Sequence, residues 1–220
     1  MKELVINSFQ RFHDVVQRYD PNRDIFRGVL STKFKLVPKL GRKGVRFLSP
    51  ISVAEKEMLR LFKIYAAPYL PKHDLSDWEL LAIAQHHGLP TRILDWSRNP
   101  LVAAYFAVEQ EFRGDSAVYV LKGEMFIDIE KNSPFELKEV SKFIPAHITP
   151  RIASQSGLFT VHPEPNKPFN SPSIDKLIIA QSFRSKLKQI LYRYGIHRAS
   201  LFPGLDGIAG HIQWLKTTSH

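Results

Sequence analysis

Apolar positions recur at helical spacing from the start of the chain. Leu4, Phe9, Phe12, Val15 and Val16, with polar residues between them, predict an amphipathic helix over 3–18. Asp20-Pro21-Asn22 stops it. Asp24 to Val29 reads as a short strand running into a loop, with Arg27 between an aromatic and a glycine. The segment 31–50 has no apolar period and carries Pro38, Gly41, Gly44 and Pro50, so it reads as a loop. Ser52 followed three residues on by Glu55 has the spacing of a capping box, and Met58, Leu59, Leu61, Phe62 and Tyr65 supply the apolar face of a helix over 53–66 that Pro68 and Pro71 end. Ser76 and Glu79 repeat that box ahead of a helix running to His87. Gly88 suits the left-handed position after it, Pro90 prevents continuation, and Asn99-Pro100 opens a buried helix over 100–111.

The pattern changes in the second half. Residues 116–121 have strand composition, as do 125–129 more weakly, 143–148, 158–161 and 176–180. Loops are expected at 149–157 and at the Pro/Asn/Ser-rich 163–173, a basic helix at 183–194 ending at Gly195, and a last helix over 206–216. With no repeat and no clean linker, the economical reading is one α+β domain spanning 1–220. In it, N-terminal helices pack on a mostly antiparallel sheet formed mainly by the C-terminal half.

Composition narrows the function. No apolar run approaches the roughly 20 residues that span a bilayer, so no membrane partner is expected. The N-terminus lacks the pattern of a secretory signal. The chain has no cysteine, which removes disulfides, thiolate-bound zinc and thiol nucleophiles, and a cytoplasmic location is the simple expectation. The formal charge of +10 attracts polyanions, either nucleic acid or a phosphate-bearing small molecule.

One stretch holds more chemistry than a turn requires. Gln85 to Trp96, read as a helix–turn–helix joint, contains two His, a Gln, an Arg, an Asp and a Trp. Adjacent helical residues point about 100° apart, so His86 and His87 cannot easily share a metal, and no His-Glu-x-x-His or other ligand spacing is present. No metal site is expected. Either imidazole could face a cleft as a proton donor or acceptor; His86 is preferred. Arg92 is a second anion clamp or the partner of Asp95. Asp95 orients a His or Arg, or caps the turn. Trp78 and Trp96 read as core. Arg27, at a strand end, can present its planar fork to a phosphate, or form a salt bridge to Asp95 or Asp206. Arg151 and Gln155 lie in the polar loop after Pro150.

In this order, Phe26-Arg27-Gly28, the Gln85–Trp96 joint with Pro100, Ala103 and Phe106-Ala107, Pro150-Arg151-Ile152 with Gln155, Gly157 and Phe159, and the ending Phe202 to Gly207 resemble the FRG domain, named for its Phe/Tyr-Arg-Gly motif. Gly204 departs from the acidic or polar residue expected in that ending. The resemblance implies membership of a family found in bacterial and phage proteins, some linked to defence, and usually described as uncharacterised. Three readings follow. One is an enzyme using a nucleotide or NAD, similar to ADP-ribosyltransferases in having an Arg on an early strand and a polar residue on a later loop. In it Arg27, Gln85, Arg92, Asp95 and Arg151 bind the ligand and His86 and Gln155 serve catalysis, with NAD the only cofactor envisaged. The late Glu usual in that pattern is not clearly present. The others are a phosphodiester-cleaving nuclease and a non-catalytic sensor of nucleic acid or of a phage component.

Overall fold

The computed structural model describes residues 1–44, 46–70, 74–145 and 149–217. Among them, seven strands form one sheet: β1 (Glu3–Ile6), β2 (Ile25–Val29), β3 (Ile93–Ser97), β4 (Ser116–Leu121), β5 (Ser141–Phe143), β6 (Gly157–Val161) and β7 (Ile174–Ile179). Eight helices accompany them: α1 (Phe9–Val16), α2 (Ile51–Ala66), α3 (Asp77–His86), α4 (Pro100–Val108), α5 (Pro150–Ser154), α6 (Gln181–Arg193), α7 (Arg198–Leu201) and α8 (Leu205–Thr217). The sheet order is β1-β7-β4-β2-β3-β6-β5, antiparallel except for the β1–β7 pair. The class is α+β, as read from the sequence. Its two central strands, β2 and β3, nevertheless come from the first half of the chain.

The sheet is two half-sheets with a weak seam. In β1-β7-β4-β2, Val118, Val120 and Leu177 pack with Phe12 of α1, Ala103 and Ala107 of α4, and Leu187 of α6. In β3-β6-β5, Ile93, Phe159 and Phe143 pack with Leu59 of α2 and Leu81 of α3. A third cluster, including Leu94, Trp96, Tyr119 and Leu158, spans both halves. Between β2 and β3 only Phe26 and Ser97 pair, whereas β2 and β4 pair along five residues.

Gly28 sets how closely α4 can lie on this seam. A Cβ there would come within 1.9 Å of the Ala103 carbonyl oxygen and 2.6 Å of the Ala107 nitrogen. Only hydrogen fits, so the Phe-Arg-Gly motif divides its work. Phe26 enters the core, Arg27 faces the seam and Gly28 admits the helix.

Several elements depart from the sequence reading. Residues 3–18 form β1 and then α1, because Leu4 to Ile6 complete the sheet edge beside β7 and Ser8 caps the helix at Arg11 N–H. Helix α2 starts at Ile51 without a side-chain cap; Glu55 turns into the core instead of closing a box. The box at Ser76 and Glu79 forms as read. The stretch 125–129 makes a single bridge, Phe126 to Lys142, rather than a strand. The strand read at 143–148 is β5, earlier by two residues, and 146–148 lie outside the described residues. The loop at 149–157 contains α5, capped by Thr149. Among the described residues no helix is long and apolar enough to cross a membrane.

Candidate active site

The joint after α3 is a helix–turn–strand–helix, and the strand changes where its side chains point. α3 ends at His86, and Gly88, at φ 87°, reverses the chain. Ile93 to Ser97 then enter the sheet, and Asn99 caps α4 at Leu101 N–H. Because β3 has period two, Leu94 and Trp96 are buried on one face while Asp95 is exposed on the other.

Beyond the Phe26–Ser97 pair, β2 and β3 have no further ladder contact, and a cleft of about 490 Å³ opens there. Arg27 reaches across, donating to the carbonyl oxygen of Asp95, and its guanidinium lies 3.5 Å from the Asp95 carboxylate. Gln85 on α3 donates to the same carboxylate at 2.9 Å, and Thr91 donates to Gln85 Oε1 at 2.7 Å. The Asp95 side chain is held from two sides yet stays 53% exposed at the cleft mouth, whereas Arg27 is only 15% exposed. Arg151 and Gln155 reach the cleft from the opposite side, on and just after α5. Arg151 stacks on the ring of Phe202 at 4.5 Å, and Gln155 donates its amide to the Leu201 carbonyl at 2.9 Å.

Six residues singled out in the sequence therefore meet in one cleft: Arg27, Gln85, His86, Asp95, Arg151 and Gln155. Arg92 does not. It is buried in the core, its Nε donating to Glu55 at 2.7 Å, its backbone N–H to the same carboxylate at 2.8 Å, and its Nη1 to Pro134 O at 3.2 Å. Neither expectation for Arg92 matches: its acid is Glu55 rather than Asp95, and it faces away from the cleft. Asp206 is likewise no partner of Arg27, whose ion pair is with Asp95. Trp78 and Trp96 are core, as read.

Arg42, Phe34, Phe106, Glu109 and Gln110 also line the cleft and were missed. Arg42 lies in the basic segment, and Phe106 was read as part of a buried helix and of the family motif, not as cleft lining. Glu109 follows the last turn of α4 and pairs with Arg198 at 2.5 Å. A charged residue at a helix end carries no mark of facing a cavity.

Burial dominates the electrostatics of the cleft. Burial lowers the Arg27 guanidinium from its ordinary value, with Asp95 opposing the shift. Burial also lowers Arg151, which has no ion-pair partner among the described residues. His86 is lowered to about 4, first by burial and then by the Arg151 charge, so it is neutral at pH 7. The cleft thus presents two desolvated guanidinium groups, a neutral imidazole, the half-exposed Asp95 carboxylate and the Glu109 carboxylate paired with Arg198.

Beneath it, the Trp96 indole N–H donates to Thr160 Oγ1 at 2.8 Å, which leaves the hydroxyl proton for His162 at 2.8 Å. Burial, then the charge of Arg27, pushes His162 down to about 3. A depressed folded-state value means that the unfolded chain binds more protons between that value and the ordinary 6.5. His162 is therefore expected to contribute full stability above pH 6.5 and to lose it as the pH falls toward 3. Melting temperature against pH for wild type and His162→Gln, which keeps an acceptor but does not titrate, checks this. The acid-side slope should be shallower in the variant, and parallel curves would refute it.

The FRG domain family model matches residues 22–116. No curated protein and no solved structure matches the chain. This chain carries an FRG domain over the matched residues, which supply Arg27, Gln85, His86 and Asp95; Arg151 and Gln155 complete the cleft from beyond them.

Proposed function

We propose that this FRG domain belongs to an enzyme that binds a nucleotide or NAD-like phosphate ligand in the cleft at the β2–β3 seam and acts on its ribosyl bond. The observation that supports this most is the cation set. Arg27, Arg42 and Arg151 line one cleft, and Arg151 is half-buried with no ion-paired acid among the described residues. A desolvated guanidinium that makes no direct ion pair, with Asp95 and Glu109 acting on it only through longer-range attraction, favours binding of an anion, and its fork suits a phosphate.

Each remaining residue has a role in that reading. Arg27 and Arg151 hold phosphate. Neutral His86 donates or accepts a hydrogen bond, depending on its tautomer. Asp95, oriented by Gln85 and Arg27, is the carboxylate that faces positive charge developing on the ribosyl group. It serves where the ADP-ribosyltransferase pattern has a late Glu. Gln155, tied to the backbone at Leu201, forms the wall opposite. A role in phage–bacterium conflict is consistent with this activity.

Isothermal calorimetry with NAD, ADP-ribose and ATP, alongside chromatography for released nicotinamide, tests the proposal. Saturable binding of at least one ligand, competed by ADP-ribose, is expected. No heat with any of the three would overturn it.

A further inference from the structure

The excess positive charge of this chain is concentrated in one stretch, whose first part adjoins the cleft through Phe34, Lys39 and Arg42. Between Ser31 and Leu70 stand Lys33, Lys35, Lys39, Arg42, Lys43, Arg46, Lys56, Arg60 and Lys63, and all nine are exposed. The same stretch has two acids. Glu55 is buried against Arg92, and Glu57 is exposed and paired with Arg60. These residues thus supply seven of the ten excess charges of the chain.

Exposed rings are interleaved with the cations: Phe34 is 53% exposed, Tyr65 78% and Tyr69 88%. Phe34 and Arg42 are themselves part of the cleft lining, and Lys39 bonds to the Gly88 carbonyl at 2.6 Å, so the basic segment joins the mouth of the cleft. Cations that track a backbone, with aromatic faces on which unpaired bases stack, are how proteins hold single strands without strict sequence readout. Duplex bases are already stacked and offer these rings little.

We infer that the exposed cations and rings of residues 31–44 and 46–69 form a binding surface for single-stranded nucleic acid that leads into the cleft. This surface does not depend on the nucleotide reading of the cleft, but where both hold it gives the enzyme a polynucleotide as substrate or acceptor. The occupant is a polyanion with exposed bases. A lipid surface would use the exposed aliphatic side chains of α2, Val53, Leu61 and Ile64, and that face is interrupted by the Glu57–Arg60 pair.

Fluorescence anisotropy with a labelled 20-nucleotide single strand and its duplex, titrated from low to high salt, tests this. The single strand should bind more tightly than the duplex, with affinity falling linearly in log salt. Tyr65→Ala and Tyr69→Ala should each weaken single-strand binding about tenfold. Lys43→Glu/Arg46→Glu/Lys56→Glu should abolish it and leave any NAD or ADP-ribose affinity unchanged, since none of these residues lines the cleft. Arg27→Ala should do the reverse, which separates failure of this inference from failure of the cleft assignment. Absence of single-strand binding at low salt, equal affinity for duplex, or indifference to all of these variants would overturn it. So would sedimentation with phosphatidylserine vesicles in place of oligonucleotide binding.

Discussion

Arg92→Met is expected to destabilise the fold by about 3–5 kcal/mol, the usual cost of stripping one partner from a buried ion pair. Glu55 and Arg92 are both essentially sealed from water, with side-chain exposures of 0% and 5%. Burial already outweighs Arg92 and raises the Glu55 carboxyl above its ordinary value. Without the guanidinium, the carboxylate keeps, among the described residues, only the backbone N–H of residue 92 and must take up a proton or admit water. The melting temperature should fall by about 10 °C for a chain of this size. Arg92→Met/Glu55→Leu should recover much of the loss, because an apolar pair of similar volume removes the uncompensated charge. Urea unfolding of the three proteins measures this. A single variant as stable as wild type would mean that the pair is not buried as described. The folded fraction of Arg92→Met should bind any cleft ligand normally, since its side chain lies on the core side of β3.

Arg27→Ala is expected to cost the cleft about 100-fold in affinity for a phosphate ligand, about 3 kcal/mol, the scale of losing one partner of a desolvated charge pair. Arg27→Lys should retain part of the binding, because it keeps the charge but loses the planar fork. Stability should fall less than for Arg92→Met. The Asp95 carboxylate is half-exposed and keeps Gln85 as a donor, so water can replace the guanidinium. Calorimetry with the tightest ligand, on the three proteins at equal ionic strength, reads the effect. Wild-type affinity in Arg27→Ala would remove Arg27 from the site.

The contrast between these two arginines shows what local pattern can reveal. Both stand in motif-dense stretches beside candidate acids. Residue types and spacing mark them equally, and only the strand phase of Ile93–Ser97 separates them. Read as a turn between helices, Arg92 and Asp95 share a surface. In a strand and its entry, burial differs residue by residue: Arg92 is buried and Asp95 exposed. Glu55 shows the same limit. Three residues after Ser52 it fits a capping box, but its acid is required 37 residues away in sequence, inside the core.

Local chemistry was enough for much else. Ser76-Glu79, Gly88 and Asn99-Pro100 act over one to four residues, and each performs the cap, reversal or restart that its side chain dictates. Strand composition located β2, β4, β6 and β7, and the charge excess of 31–46 could be counted directly. The sequence by itself thus determined both ends of α3, the start of α4, the α+β class and the list of polar groups with more chemistry than their turns need. Tertiary structure alone decided which of them meet. Its single β2–β3 pair leaves the seam open, the bare Cα of Gly28 brings α4 against it, and Arg151 and Gln155 arrive from more than fifty residues downstream. Such meetings depend on long-range pairing and on burial, which no local period encodes.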